Sequence, residues 1–131
     1  MQYPAGSPPR RNTMFEPIEV ITTTATAADA RAIARALVDA RLAACVQVEG
    51  PLESTYRWEG RTESSQEWRC VAKTARRCYR RVEEVIRKIH PYELPQIVAI
   101  PIITGSQSYL DWLRSELDSE LVCEPDGGPQ P

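Results

Sequence analysis

From residue 43 to residue 74 the chain runs for about 32 residues without a helical period, and its one sharp break is Glu59-Gly60-Arg61-Thr62. Strand-like segments on either side of a glycine-containing break read as the two arms of a hairpin. Arms of this size exceed the usual strand of about 5–6 residues, so the ribbon must project beyond any sheet that holds its base. Gly50-Pro51 separates residues 43–48 from 54–58 in the first arm, which suggests a bulge or bend within one long strand. The outer part carries Tyr56, Trp58 and Trp68. A projecting aromatic ribbon is marginal alone and exposes open edges, which pairing with further copies in a closed ring would remove. The plainer alternative is that these aromatics cap the core of their own subunit.

The rest of the order follows from periodicity. Residues 18–24 (Ile-Glu-Val-Ile-Thr-Thr-Thr) are β-branched and short, a strand. Thr26, with Asp29 three residues later, resembles a capping box. It opens a segment with Ala32, Ile33, Ala36, Leu37 and Ala40 on one helical face. Residues 66–74 form the second arm of the hairpin. Val82, Val85, Ile86 and Ile89 then recur at i, i+3, i+4 and i+7, a second amphipathic helix. A strand over 96–103 follows. Gly105-Ser106 ends it, and Tyr109, Leu110, Trp112, Leu113 and Leu117 mark a short final helix. The order β-α-β-β-α-β-α is that of an α+β, ferredoxin-like βαββαβ domain, an antiparallel sheet with helices on one face.

At 131 residues, with 42% hydrophobic and 26% charged side chains, the chain fits one globular domain. The folded part is expected over 15–121. The Pro- and Gly-rich segments 1–14 and 122–131 are expected to be flexible tails. A net charge of −2 gives no electrostatic reason to expect nucleic acid or an anionic membrane as partner. No apolar run approaches the ~20 residues of a bilayer span. Residues 1–13 contain Arg10 and Arg11 but no apolar core, so no secretory signal is read there and a cytoplasmic location is expected.

His90-Pro91-Tyr92-Glu93-Leu94-Pro95 is the densest polar cluster, and it leads directly into the apolar run at 97–103. Its two prolines fix φ and bias the residues before them toward extended backbone. The only imidazole of the chain, a phenol and a carboxylate thus sit on a stiff lead-in to a strand, as at the mouth of a cleft. The competing reading is a rigid connector whose polar groups satisfy backbone ends. Cys45, Cys70, Cys78 and Cys123 show no C-x-x-C spacing, which argues against a zinc ribbon or a dithiol redox pair. Cys45 and Cys70 lie in apolar strand segments and read as small core residues, and Cys123 as incidental.

Several blocks, in order, carry a resemblance to a known family. Leu42-Ala43-Ala44-Cys45-Val46, Ser54-Thr55-Tyr56-Arg57-Trp58-Glu59-Gly60, Lys73-Thr74, the His90–Pro95 hexapeptide and Tyr109-Leu110-x-Trp112-Leu113 resemble the CutA family, the divalent-cation tolerance proteins. The resemblance covers about residues 20–117. It implies a ferredoxin-like subunit in a homotrimer similar in architecture to the PII signalling proteins. It further implies a cytoplasmic, non-enzymatic protein of metal tolerance, copper especially. Carried over, the polar cleft between subunits would involve Tyr56, Trp58, Lys73, His90, Tyr92 and Glu93. His90 would be the metal ligand, for copper or another divalent cation. Glu93 would orient that ring or add an oxygen ligand, and Lys73 would pair with Glu93 or hold an anion. Trp58 with Tyr92 has the plainer reading of interface packing. Some family members carry Cys and His where this chain has Thr22 and Ile89, and Gln47 follows Cys45-Val46 where the family often has Asn. A lone His with buried cysteines is a poor set for a closed site of three or four ligands.

Other classes fit less well. An acylphosphatase-like enzyme needs a Gly-rich anion loop with an Arg after the first strand, and Thr22-Thr23-Thr24-Ala25 offers neither. A Cys–His nucleophile pair would need a low thiol pKa, which a Cys in an apolar strand lacks. An RNA-binding module would stack bases on central-strand aromatics, and residues 66–73 fit that pattern poorly. Arg76, Arg77, Arg80, Arg81, Arg87 and Lys88 read as a solvated helix face. What remains beside metal tolerance is a PII-like regulator binding a small metabolite or a partner protein at intersubunit clefts.

Overall fold

The computed structural model describes residues 15–118. The expected tails at 1–14 and 122–131, and Cys123, lie outside the described residues. Strand β1 (Pro17–Thr24) leads to helix α1 (Ala27–Asp39), then to β2 (Cys45–Trp58) and β3 (Arg61–Ala75). A short 3-10 turn (Arg76–Cys78) opens α2 (Tyr79–Ile89), and β4 (Ile97–Pro101) and α3 (Gln107–Glu116) complete the chain. The sheet order is β2-β3-β1-β4, with every neighbouring pair antiparallel. This is the expected ferredoxin-like arrangement.

Side-chain alternation divides the sheet into two faces. Ile18 and Val20 of β1 with Cys70 and Ala72 of β3 point to one side and form the core with Ile33 and Leu37 of α1 and Val82 and Ile86 of α2. Glu19 and Ile21, Val71 and Lys73, and Val98 and Ile100 share the opposite face, which no helix covers. The α1 face departs from expectation. Ala30, Ile33 and Leu37 are its buried residues, while Ala32 and Ala40 are exposed. Ile89 is likewise exposed at the end of α2, while Val82 and Ile86, with Val85 partly buried beside them, face the core. Cys70 and Cys78 are buried, whereas Cys45 is half-buried on the uncovered face rather than a core residue.

Local chemistry fixes the ends of these elements. Thr26 caps α1 by accepting from the Asp29 N–H at 3.0 Å, the interaction its spacing suggested. Arg41, at φ 59°, closes α1 through bonds from its own N–H to the Val38 carbonyl and from the Leu42 N–H to the Leu37 carbonyl. That is the Schellman pattern with arginine where glycine is usual. The arginine has a second task. Its guanidinium donates to the Glu116 and Ser115 carbonyls at the end of α3.

The hairpin turn at Glu59-Gly60 has positive φ at both residues, 50° and 81°, which matches strand twist in a two-residue connection. β2 is continuous through Gly50-Pro51, where the register with β3 shifts between Glu49 and Leu52. The second arm begins earlier than expected, at Arg61 rather than residue 66, because pairing with β2 continues to the turn. Strand β4 stops at Pro101 instead of reaching residue 103.

Candidate functional site

The last residue pair between β1 and β3 is Thr24 with Trp68, and the next residue of β3, Glu67, pairs only with Leu52 of β2. Here the two-stranded ribbon leaves the sheet. The segment 90–96 wraps the same point, because it must carry the chain from the end of α2 to β4 beside β1. His90 caps α2 with extended backbone (ψ 131°), the conformation favoured before proline.

The His90 ring is buried, 8% exposed, and both of its nitrogens are used. Nδ1 accepts from the Tyr92 N–H at 3.1 Å, and Nε2 donates to the Thr23 carbonyl at 2.8 Å. Acceptance at Nδ1 puts the proton on Nε2. The imidazole thus ties the end of β1 to the lead-in of β4. Tyr92 lies 4.8 Å from it between ring centroids, tilted by 52°. The Tyr92 hydroxyl donates to Glu67 Oε2 at 2.8 Å. Burial first, then the hydrogen bond to the Glu67 carboxylate and its charge, push the phenol well above its ordinary pKa. It therefore stays a donor. Glu67, only 8% exposed, is the acceptor at the root of the ribbon.

The remaining expected site residues are spread out. Tyr56 and Trp58 are exposed on the projecting ribbon, 42% and 44%. Alternation and register put them on one ribbon face with Leu52, Glu63 and Glu67. The Tyr56 hydroxyl is 3.3 Å from Ser65 Oγ. Trp68 does not project, as it packs against the core and over Gly50. Within the subunit Lys73 pairs with Glu19 across β1 at 3.4 Å rather than with Glu93. It lies six residues along β3 from Glu67, about 20 Å away at the rise of a strand. Glu93 is exposed, and the ring it was expected to orient is held by Thr23 and the Tyr92 backbone instead.

Sequence reading missed Glu67 and the Thr23 carbonyl. No local signal marks either one, because their partners lie 25 and 67 residues away. Thr22, at the position of a possible ligand, faces the core, and its Oγ1 has no hydrogen-bond partner among the described residues. Among those residues no group of three or more His, Cys, Asp or Glu is arranged to hold a metal ion. An ion at His90 would also have to displace the Tyr92 N–H from Nδ1. The described residues of a single subunit therefore do not fit a closed metal centre.

A four-stranded antiparallel sheet, helices on one face and an overhanging ribbon braced at its root define a ferredoxin-like α+β protein with an extended central hairpin. The chain belongs to the family described as CutA1 divalent ion tolerance protein, whose pattern matches residues 18–116. The divalent-cation tolerance protein CutA of Thermus thermophilus is 44% identical over 95 residues, 72% of this chain and 92% of its own length. The solved structure of the divalent cation tolerance protein (Cut A1) from Thermus thermophilus superimposes with a TM-score of 0.76 at 41% identity, covering 78% of this chain and 99% of that one. The crystal structure of CutA1 from Oryza sativa gives 0.79 at 29% identity, covering 82% and 99%.

Proposed function

We propose that the protein acts in tolerance to divalent cations, copper among them, as a homotrimer without catalytic chemistry and without a metal centre built into one subunit. The observation that carries this reading is the state of His90, whose two nitrogens are committed to backbone partners. Membership of a divalent-ion tolerance family supplies the biological role. In the trimer, the exposed ribbon face with Tyr56 and Trp58 meets the neighbour and forms a polar cleft with Tyr92, Glu93 and His90. Lys73 lies further along the uncovered face. The site of action we assign is the cytoplasm. Among the described residues no helix is long and apolar enough to cross a membrane.

A PII-like regulatory role is the second reading. A cleft furnished with hydrogen-bonding groups and lacking open imidazole lone pairs suits a small polar metabolite better than a bare ion.

Calorimetric titration of the reduced protein with Cu(I), Cu(II) and Zn(II) tests the proposal. Binding weaker than micromolar, together with copper sensitivity in cells deprived of the protein and rescue by the wild-type chain, is expected. Sub-micromolar binding lost in His90→Ala overturns the reading without a resident metal. Unchanged copper sensitivity overturns the tolerance role.

A further inference from the structure

Glu67 is a buried carboxylate without a cation. It is 8% exposed, and the Tyr92 hydroxyl, donating to Oε2 at 2.8 Å, is the one hydrogen-bond partner of its side chain among the described residues. The nearest guanidinium along its own strand, Arg69, is held by Glu49, with Nε and Nη2 each 2.7 Å from Oε1 of that carboxylate. Lys73 and Arg61 stand six residues away in either direction on β3, about 20 Å at the rise of a strand. His90 uses both nitrogens on backbone groups. Buried charges are ordinarily paired or bound to a cation. This one is half-satisfied, with Oε1 left over. That oxygen is open to solvent, because among the described residues only Thr22 Oγ1 is both sealed off and unpartnered.

The surroundings repeat the imbalance. After burial and Glu67, the Tyr56 hydroxyl and the Asp29 carboxylate also raise the Tyr92 phenol, so both stand in its neighbourhood. Tyr56 shares the ribbon face of Glu67. Asp29 lies in the first turn of α1, where its backbone N–H is bonded to Thr26 and its carboxylate has no partner among the described residues. Two carboxylates and two phenol rings thus meet where the ribbon leaves the sheet, with no positive charge paired to either acid. A divalent metal ion is a poor match, because a closed site needs three or four donors and no such group is present among the described residues. An organic cation is a better one. Its N–H groups form charge-assisted bonds to a carboxylate, and its body rests on aromatic faces.

We propose that the root of the ribbon binds a small organic cation with N–H donors, a primary ammonium or a guanidinium. Glu67 Oε1 is its hydrogen-bond acceptor, Asp29 supplies the second negative charge, and the rings of Tyr92 and Tyr56 form the wall. This deepens the second reading above, the cleft for a small polar metabolite, by giving the charge of the ligand. All four groups belong to one subunit, so the site can be tested apart from the trimer.

Methylguanidinium and n-butylammonium are the probes, titrated in phosphate buffer into the full chain labelled with 15N, with sedimentation of the same samples. The Tyr92 backbone N–H is expected to shift saturably, with a dissociation constant on the order of 1 mM. Tetramethylammonium, which has no N–H, should give no saturable shift at equal ionic strength. Glu67→Gln keeps an acceptor for the Tyr92 hydroxyl and removes the charge. It should weaken binding by roughly tenfold or more, the usual worth of a hydrogen bond to a charged group, with an unchanged circular dichroism spectrum. Asp29→Asn should also weaken binding, and it decides the matter if Glu67→Gln does not fold. Absence of a saturable shift, an equal response to tetramethylammonium, or wild-type affinity in either folded variant overturns the proposal. So does a trimer that ignores both probes and dissociates on Glu67→Gln, since a neighbour's side chain would then occupy the place. Saturable, Glu67-dependent shifts in a chain that sediments as one subunit would uphold this site and remove the trimer. A trimer without such shifts would do the reverse.

Discussion

Tyr92 and Glu67 show how one hydrogen bond governs a buried charge. Glu67 sits at the point where the ribbon leaves the sheet, and the phenol is its hydrogen-bond donor at 2.8 Å. Tyr92→Phe leaves a buried acceptor unsatisfied, which costs about 1–3 kcal/mol. Urea denaturation should show that loss, and combining Tyr92→Phe with Glu67→Leu should recover part of it. A single variant as stable as wild type would contradict the brace. Cys70 gives a prediction at alkaline pH. Burial raises its thiol from 9.0 to about 11. The folded chain then keeps a proton that the unfolded chain has lost. The stability this contributes is complete below about pH 9 and drains away as pH rises through 11, amounting to about 2 kcal/mol by pH 10.5. The raised Tyr92 phenol acts in the same direction at higher pH. The urea midpoint should fall between pH 8 and pH 10.5, and less steeply in Cys70→Ala.

Among the elements, the ribbon depends most on a single small residue. A Cβ placed on Gly50 would lie 2.5 Å from Trp68 Cδ1 and 2.8 Å from Cγ. Gly50→Ala must displace an indole that also packs against the core, at a cost of about 1–3 kcal/mol for overpacking. Thermal unfolding should report a lower midpoint, and tryptophan fluorescence a change in the environment of Trp68. The order of the elements was legible in the sequence because strand and helix periods alternate cleanly and Thr26, Gly60 and Ser106 mark their ends. The details that failed have a common physical origin. Ala30, Ile33 and Leu37, three and four residues apart, form the buried stripe of α1, and Ala32 and Ala40 are exposed outside it. Lys73 and Glu93 carry opposite charges, but only strand register decides that Lys73 lies opposite Glu19. The Tyr92–Glu67 bond joins groups that no local pattern relates.

For the molecule as a whole, the proposed trimer makes its own prediction. Val98 and Ile100 are exposed on the uncovered face of the edge strand β4, and Ile103 just beyond it is 92% exposed. An edge with unpaired backbone and apolar side chains invites association with another chain. Sedimentation should give three times the subunit mass of 14.8 kDa for the wild type. Val98→Lys combined with Ile100→Glu should give single subunits, and a wild-type chain sedimenting as one subunit would exclude the trimer.

The overhang of the ribbon has a consequence for how far it can be redesigned. Its aromatic face is set by parity, since neighbouring positions along each arm look in opposite directions. Lengthening β2 by two residues between Leu52 and Tyr56, and β3 by two between Glu63 and Glu67, would carry Tyr56 and Trp58 outward and keep them facing as they do. Adding one residue to each arm there would turn both rings to the far side and exchange hydrogen-bonded for non-hydrogen-bonded pairs from that point to the turn.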